Sequence, residues 1–411
     1  MKTCNTEYSL DLPLESLSLQ PFLQSLHKEQ WQEVRLGEVA EMNQKNIDKS
    51  YPHKTIQYLD TGSIANNKIE SLQLFDSVKL PSRAKRIVQN NDIIYSLVRP
   101  IQRHFGFIKN PPENLIVSTG FCVITTNNAI LDSKFLYYYL TLNEIIELLD
   151  MIAEASTSAY PAIRPFDIEN LTIPLPPLTI QQKIAEILSS FDDKIDLLHR
   201  QNKTLESLAL TLFRHYFIDN PNRSEWEEKP LKYFGNIICG KTPPKNQKEY
   251  FNGTYPFIKI PDMHNNVFVF QTVDSLTQQG LDSQKAKTLP PFSVCVSCIA
   301  TIGVVSMNAN IAQTNQQINS IVPYKECYRY FLYCSMKYSF DELEAMASGG
   351  TATANLNTTD FSNMKLLLPR EKEILRFHTE TLPFFDKIYN NTKQIQNLQA
   401  MRDLMLRRMF N

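Results

Sequence analysis

Charge of one sign is what this 411-residue sequence most conspicuously lacks: 42 lysines and arginines face 43 aspartates and glutamates, a formal net charge of −1. Proteins that grip nucleic-acid phosphates unaided usually carry a basic footprint. Any such role therefore needs local positive charge, or a partner that shares the grip. Long apolar runs are also missing, and none approaches the ~18 residues of a membrane-spanning helix. The first 30 residues contain Asp11, Glu15 and several Ser and Gln, with no apolar stretch of the export-signal kind. The seven cysteines then read as reduced thiols, and the expected location is the cytoplasm.

Catalytic signatures are missing as well. No phosphate-binding GxxxxGK[ST] loop occurs, so the chain is not expected to hydrolyse ATP. Cys295 and Cys298 form a lone CxxC with no second pair at zinc spacing. On a strand, positions three apart point to opposite faces, which fits reduced core thiols. The Asn110–Glu113 stretch, NPPE, resembles the NPPY-type loop in which an aromatic stacks on a flipped base, but Glu113 replaces the aromatic. Pro261–Asp262 is not followed by a nuclease-type Asp/Glu-x-Lys, and the seven histidines form no triad or ligand cluster. The expectation is a chain with no catalytic residue, no metal site and no cofactor of its own. At 43% apolar and 21% charged it should nevertheless be an ordinary globular protein of two domains.

What the sequence does contain is an internal repeat. Its two tryptophans, Trp31 and Trp226, open WQEVRLGEVA and WEEKPLKYFG at an offset of 195. The same offset joins Thr119 to Thr314, Phe166 to Phe361 and Pro174 to Pro369. After these prolines it falls to 193 and joins Phe191 to Phe384, Leu205 to Leu398, Arg214 to Arg407 and Phe217 to Phe410.

Each copy begins with short β-branched and aromatic runs (IQYLD, DIIYSLV, IVSTGFCVI; YPFIKI, NVFVF, SVCVSCIATIGVV) separated by Pro, Gly and Asn turns. One helical stretch follows, near Lys134–Ala155 and Tyr328–Ala347. The expected fold class is α+β: two pseudo-symmetric α+β domains, each with a curved or partly closed sheet, separated by two long antiparallel coiled-coil helices. The expected boundaries are an N-terminal extension at 1–30, a first domain at 31–174 and a central helix at 175–220. A second domain at 221–369 and a C-terminal helix at 370–411 complete the chain.

Both helices carry apolar residues on a seven-residue repeat. In the first, the rows are Ile184, Phe191, Leu198, Leu205, Leu212 and Leu188, Ile195, Asn202, Ala209, Tyr216. In the second they are Phe377, Phe384, Asn391, Leu398, Met405 and Thr381, Ile388, Ile395, Arg402, Met409. A two-row seam predicts helices paired as a coiled coil; the other reading is that each packs only on its own domain. Paired antiparallel and end to end, Ile184 faces Met409, Tyr216 faces Phe377, and Asn202 falls opposite Asn391. Such a polar layer costs stability and specifies register.

Two related domains on an antiparallel helical pair imitate a two-fold dimer, and dimeric DNA readers address half-sites about 34–36 Å apart. Because the copies differ, their half-sites should differ too. Several segments resemble one family, the specificity subunits of type I restriction–modification systems. They are GKTPPKNQKEYFNGTYPFIKIPDM from Gly240, SCIATIGVV from Ser297, AQTNQQI from Ala312, SGGTATANLNTTDFSNMKLLLP from Ser348 and IPLPPLTIQQKIAEILSSFDDKIDLL from Ile173. The likeness covers residues 31–411. The second junction departs from it, reading LLLPREKE without the LPPL run, and Ser293 stands where the first copy has Asp92. The resemblance implies a non-catalytic subunit that reads a bipartite double-stranded DNA target through two target-recognition domains. It implies assembly with two adenine-N6 methyltransferase subunits and two restriction/translocase subunits, or with methyltransferases alone. S-adenosylmethionine, Mg and ATP would then sit on those partners, and no membrane is involved.

Candidate DNA contacts follow from charge and from donor chemistry. Between Lys79 and Lys109 lie Arg83, Lys85, Arg86, Arg99 and Arg103, against the single acid Asp92. Arginine suits guanine and lysine suits phosphate; a solvated basic face is the other reading. Lys241, Lys245 and Lys248 occupy a Gly/Pro loop with the same two readings. Asn315, Gln316 and Gln317 either read adenine through their amides or cap turns in a buried loop. The loop holding Thr351 and Thr353, with its counterpart EASTSAYPAIRP, either approaches the phosphate backbone closely or simply connects elements.

Overall fold

A computed structural model describes residues 20–48, 50–155, 161–348 and 354–410. The chain divides into two compact units, Met1–Asp193 with Gln399–Asn411, and Lys194–Leu398.

In the first unit, strand Gln32–Arg35 pairs antiparallel with Thr172–Leu175, so the chain leaves the domain beside its point of entry. Between them lie two four-stranded sheets. One is mixed, in the order Gln73–Asp76, Thr55–Leu59, Leu115–Ser118, Ala84–Ile87. The other is antiparallel, in the order Ala40–Met42, Phe121–Thr126, Ile93–Ser96, Phe105–Phe107. Leu115–Ser118 and Ile93–Ser96 are buried along their whole length, which explains their continuous apolar sequence. Leu59, Ile94, Leu115, Val117, Phe121 and Val123 form the core there.

The second unit repeats the plan. Glu227–Pro230 pairs with Lys365–Leu368, and sheets of five and three strands lie between. Beside its two-stranded entry–exit pair, each unit therefore holds two larger sheets where one curved or partly closed sheet was expected. Each expected helical stretch is likewise two helices, Ser133–Leu140 with Asn143–Glu154, and Tyr328–Tyr338 with Phe340–Ala347. Thr141 and Ser339 stand at the breaks; the Thr141 hydroxyl donates to Tyr138 O at 2.8 Å, a local bond that competes with helix continuation.

Backbone hydrogen bonds correct the register of the repeat. Leu36 N donates to Leu171 O at 2.9 Å, and Leu231 N to Met364 O at 2.8 Å. The donors are 195 apart and the acceptors 193, so the offset changes before the closing strand and not after the prolines. Accordingly Phe361, fully buried, corresponds to buried Ile168, while Phe166 is 58% exposed. Pro369 corresponds to Pro176, and Thr119 to Gln316, since Leu97 N bonds Gly120 O as Cys298 N bonds Gln317 O, each at 2.8 Å. Small insertions and deletions that compensate one another hid these shifts from an ungapped comparison.

The long helices run Leu178–Phe213 and Glu371–Phe410. At the start of the first, the fully buried Gln181 closes the proline junction. Its amide donates to Pro176 O at 2.8 Å and Ile130 O at 3.0 Å, and accepts from Asp132 N at 2.8 Å. Asp132 in turn caps the helix Ser133–Leu140 by accepting from Phe135 N at 2.9 Å.

Within the second unit, Asn391 Nδ2 donates to Asn202 Oδ1 at 2.9 Å, and the Tyr216 and Phe377 rings lie 6.2 Å apart. Advancing along one helix retreats along the other, so they run antiparallel. Ile195, Leu198 and Ile395 are buried together with Leu398 packed against them, and Leu205 packs half-buried on the second unit's core. The second helix also faces its own domain: Phe385, not Phe384, is fully buried, stacked 4.0 Å from Tyr330 at 6°. Seam pairing and domain packing are thus both present. Within the first unit the helix ends meet through Asp192, which accepts from Arg402 Nη1 and from Tyr138 OH, each at 2.7 Å. Phe410 packs 5.1 Å from Phe135 and 5.6 Å from Tyr139.

Candidate nucleic-acid interface

In the first unit the strands Ile93–Ser96 and Phe105–Phe107 are joined by the loop 97–104, which carries two of the candidate arginines. Arg99 (φ 46°) and Arg103 (φ 57°) both adopt the left-handed conformation, rare for residues with a side chain. Backbone bonds hold the loop to two other segments. Leu97 N donates to Gly120 O at 2.8 Å, Arg99 N to Pro161 O at 3.1 Å, and Ile163 N to Leu97 O at 2.8 Å. Arg103 is half-buried and donates to Asn143 Oδ1 at 2.7 Å. Arg99 is exposed, and among the described residues no hydrogen bond or ion pair engages its guanidinium. Beneath the loop Tyr95 stacks on Phe105, centroids 5.5 Å apart. Burial raises the Tyr95 phenol well above its usual range, only partly offset by Arg103, so it stays protonated.

The remaining basic residues are spread over different elements. Arg83 and Lys85 are exposed on or beside the edge strand Ala84–Ile87, while Arg86 is half-buried and donates to Asn46 Oδ1 at 3.0 Å. Lys109 lies 4.0 Å from Asp193. Arg83 O accepts from Thr119 N at 2.8 Å, which ties this edge to the turn that also anchors the arginine loop. Asp92 is not part of that exposed surface. It is buried, accepts from Gln89 N at 2.8 Å and Thr125 Oγ1 at 2.7 Å, and burial raises its carboxyl pKa.

In the second unit Lys241, Lys245 and Lys248 are all exposed between strands Gly235–Cys239 and Phe251–Ile258. The segment passes close to the turn at 315–317: Lys241 N donates to Thr314 O at 2.9 Å, and Thr242 Oγ1 to Gln316 Oε1 at 2.9 Å. Gly240 permits this approach, since a Cβ there would lie 2.1 Å from Asn315 O. Gln316 is exposed. Asn315 is buried and its amide is spent locally, Oδ1 accepting from Gln317 N at 3.1 Å and Nδ2 donating to Gln317 Oε1 at 2.8 Å. Ser118 does the same in the first unit, accepting from Gly120 N at 3.1 Å. Of the two readings of Asn315, the structure places it in the turn-forming one. Thr351 and Thr353 lie outside the described residues, as do 156–160 of the counterpart loop.

The second unit also has a hairpin loop, 298–304, which charge counting passed over because it carries none. Ala300 (φ 66°) and Gly303 (φ 76°) take the left-handed places of Arg99 and Arg103. Ala300 N donates to Ala354 O at 3.0 Å, and Leu356 N to Cys298 O at 2.8 Å. In each unit, therefore, a hairpin tip, a side-chain-stapled turn and the segment returning from the last helix converge, with donors and small groups exposed on a held backbone. Only the repeated positive φ could have signalled the second tip, and that is a property of the backbone. Among the described residues there is no group of three or more His, Cys, Asp or Glu placed to hold a metal ion, and no helix long and apolar enough to cross a membrane.

Comparison with known proteins gives consistent matches. A family model described as the type I restriction modification DNA specificity domain matches residues 28–207 and again 223–400. The chain is 34% identical to the type I restriction enzyme HindI specificity subunit of Haemophilus influenzae, over 93% of this chain and 99% of that protein. It is 27% identical to the type I restriction enzyme MjaIX specificity subunit of Methanocaldococcus jannaschii, over 78% of this chain and 77% of that one. Among solved structures it is similar to the S subunit of a type I restriction-modification system from M. genitalium. That likeness has a TM-score of 0.54 at 16% identity and covers 93% of this chain and 96% of that chain.

Proposed function

Because the chain belongs to the family of type I restriction modification DNA specificity domains, we propose that it selects a bipartite, asymmetric target on double-stranded DNA, one half-site per unit. It is a specificity subunit and not itself an enzyme. The observation that carries the bipartite reading is the pair of matched scaffolds with unlike surfaces. The bonds that anchor the hairpin to the turn and to the return segment recur in both units, while the exposed residues change from Arg99 and Gln102 to Ala300 and Thr301. Matching anchors place the readers alike, and different side chains read different bases.

In this reading Arg83, Lys85, Lys241, Lys245 and Lys248 are exposed cations for phosphates, which position the protein without choosing sequence. The paired long helices set the number of unread base pairs between half-sites. Two adenine-N6 methyltransferase subunits and two restriction/translocase subunits assemble on the chain in the cytoplasm. S-adenosylmethionine, Mg and ATP belong to those partners. The near-neutral net charge then makes sense, because phosphate contacts are shared across the complex.

The test is assembly followed by binding. Native mass spectrometry of the chain co-expressed with its methyltransferase should show two methyltransferase copies per chain. That complex should bind a target duplex about 10³-fold or more tighter than random duplex at physiological salt. A complex with equal affinity for all duplexes refutes the proposal.

A further inference from the structure

The tips of the two hairpins are the same device with exchanged chemistry. Arg99 and Ala300 both sit in the left-handed region, φ 46° and φ 66°, where side-chain-bearing residues seldom rest without a constraint. The constraint is identical in the two units. Each tip residue donates its N–H to the return segment, at Pro161 O and Ala354 O. The residue two earlier donates to the adjoining turn, at Gly120 O and Gln317 O. Both tip residues are exposed.

Around them the candidates thin out. Arg103 is spent on Asn143, and Arg86 is spent on Asn46. Asn315 staples its own turn, as Ser118 does. Gly303, in the place of Arg103, has no side chain to offer. Among the described residues, what remains unengaged at the first tip is Arg99, beside exposed Ile101 and Gln102, and at the second the methyl groups of Ala300 and Thr301.

We propose that the left-handed tip residue sets base identity in each unit. Arg99 addresses the two acceptors on the major-groove edge of a guanine in one half-site, and Ala300 with Thr301 packs on the 5-methyl of a thymine in the other. A planar two-pronged donor matches guanine O6 and N7, and small apolar groups match the thymine methyl. Arg103 is a positioning residue: its bond to Asn143 braces the loop from which Arg99 projects. The inference rests on the DNA-reading role proposed above.

The test uses the full chain in complex with its methyltransferase subunits, in a host free of adenine methylation, with genome-wide mapping of N6-methyladenine. In the wild type, one position of one half-site should require guanine. Arg99→Asn keeps a residue that tolerates the left-handed backbone while removing the guanidinium. It should bring that preference from about tenfold or more down to near parity, with the other half-site unchanged. Arg99→Lys retains charge and donors without the planar fork and should weaken the preference less than Arg99→Asn does. Ala300→Arg should relax or replace thymine at one position of the other half-site only. If Arg99→Lys and Arg99→Asn both mark the wild-type motif, at whatever efficiency, Arg99 serves phosphate or scaffold and the inference falls. If the wild-type complex itself marks no two-part motif, the DNA-reading proposal has failed instead.

Discussion

The asparagine pair in the helix seam offers a stability experiment whose sign pattern can be worked out beforehand. Asn391 is 1% exposed; its Nδ2 donates to Asn202 Oδ1 at 2.9 Å, and its own Oδ1 is buried with no partner among the described residues. Asn202 is half-buried and also donates to Thr392 Oγ1 at 3.3 Å. Replacing Asn202 by Leu leaves both ends of the buried Asn391 amide poorly paired, which should cost about 1–3 kcal/mol. Replacing Asn391 by Leu instead removes the orphaned oxygen and adds apolar contact. It strands the half-buried Asn202 oxygen and the exposed Gln201 oxygen, both within reach of water, so the net effect should lie within about 1 kcal/mol of zero. Changing both to Leu deletes the polar layer and should stabilise the second unit by about 2–4 kcal/mol, at the expense of a unique register. Trp226, buried in this unit, reports its urea unfolding by fluorescence once Trp31 is replaced by Phe. The double variant should exceed the sum of the singles by well over 1 kcal/mol. Additivity within about 0.5 kcal/mol would show that the two asparagines do not meet as described.

Three further outcomes follow from single sites. Gln181→Leu leaves Asp132 N, Ile130 O and Pro176 O without their buried partner. It should destabilise the first unit by about 3–5 kcal/mol, read from Trp31 fluorescence in a Trp226→Phe background; a loss under about 1 kcal/mol contradicts that role. His378 stacks on Tyr330 at 5.2 Å, with Nδ1 buried and without a hydrogen-bond partner among the described residues. Burial lowers its pKa from about 6.5, with Glu326 and Asp386 opposing and Arg329 assisting. A histidine held neutral by the fold contributes stability that is present above its ordinary pKa and lost as pH falls below it. The urea midpoint should therefore drop more between pH 7.5 and 5.5 for wild type than for His378→Gln, and parallel curves would refute this. Gly240→Ala places a methyl group 2.1 Å from Asn315 O, so the turn at 315–317 must shift. Relative methylation of targets altered in the second unit's half-site should change about tenfold or more, with no change for targets altered in the other half-site; equal changes at both would mean a general loss of folding.

The helix seam was legible because a seven-residue repeat of mostly apolar residues survives any local detail, and one asparagine in each helix set the phase. The α+β class was legible from short apolar runs between turns. The exact correspondence of the copies was not, because strand register is written in backbone bonds such as Leu231 N to Met364 O; the identical residues Phe166 and Phe361 pointed to the wrong match. At the candidate interface, charge located the Arg99 loop but not its twin, since Ala300 and Thr301 carry none. Charge also grouped Arg86 with Arg99, although one is tied to Asn46 and the other has no side-chain hydrogen bond or ion pair among the described residues. Gln181 looked like an ordinary helix residue, and only the fold brings Asp132 and Ile130 to it.

Single-molecule methylation mapping of the wild-type complex addresses the central claim most directly. Two matched units with unlike tips require two short, different sequence blocks separated by one constant number of unread base pairs, with N6-methyladenine in each block. A contiguous or palindromic motif, a variable spacer, or methylation independent of sequence would contradict the account.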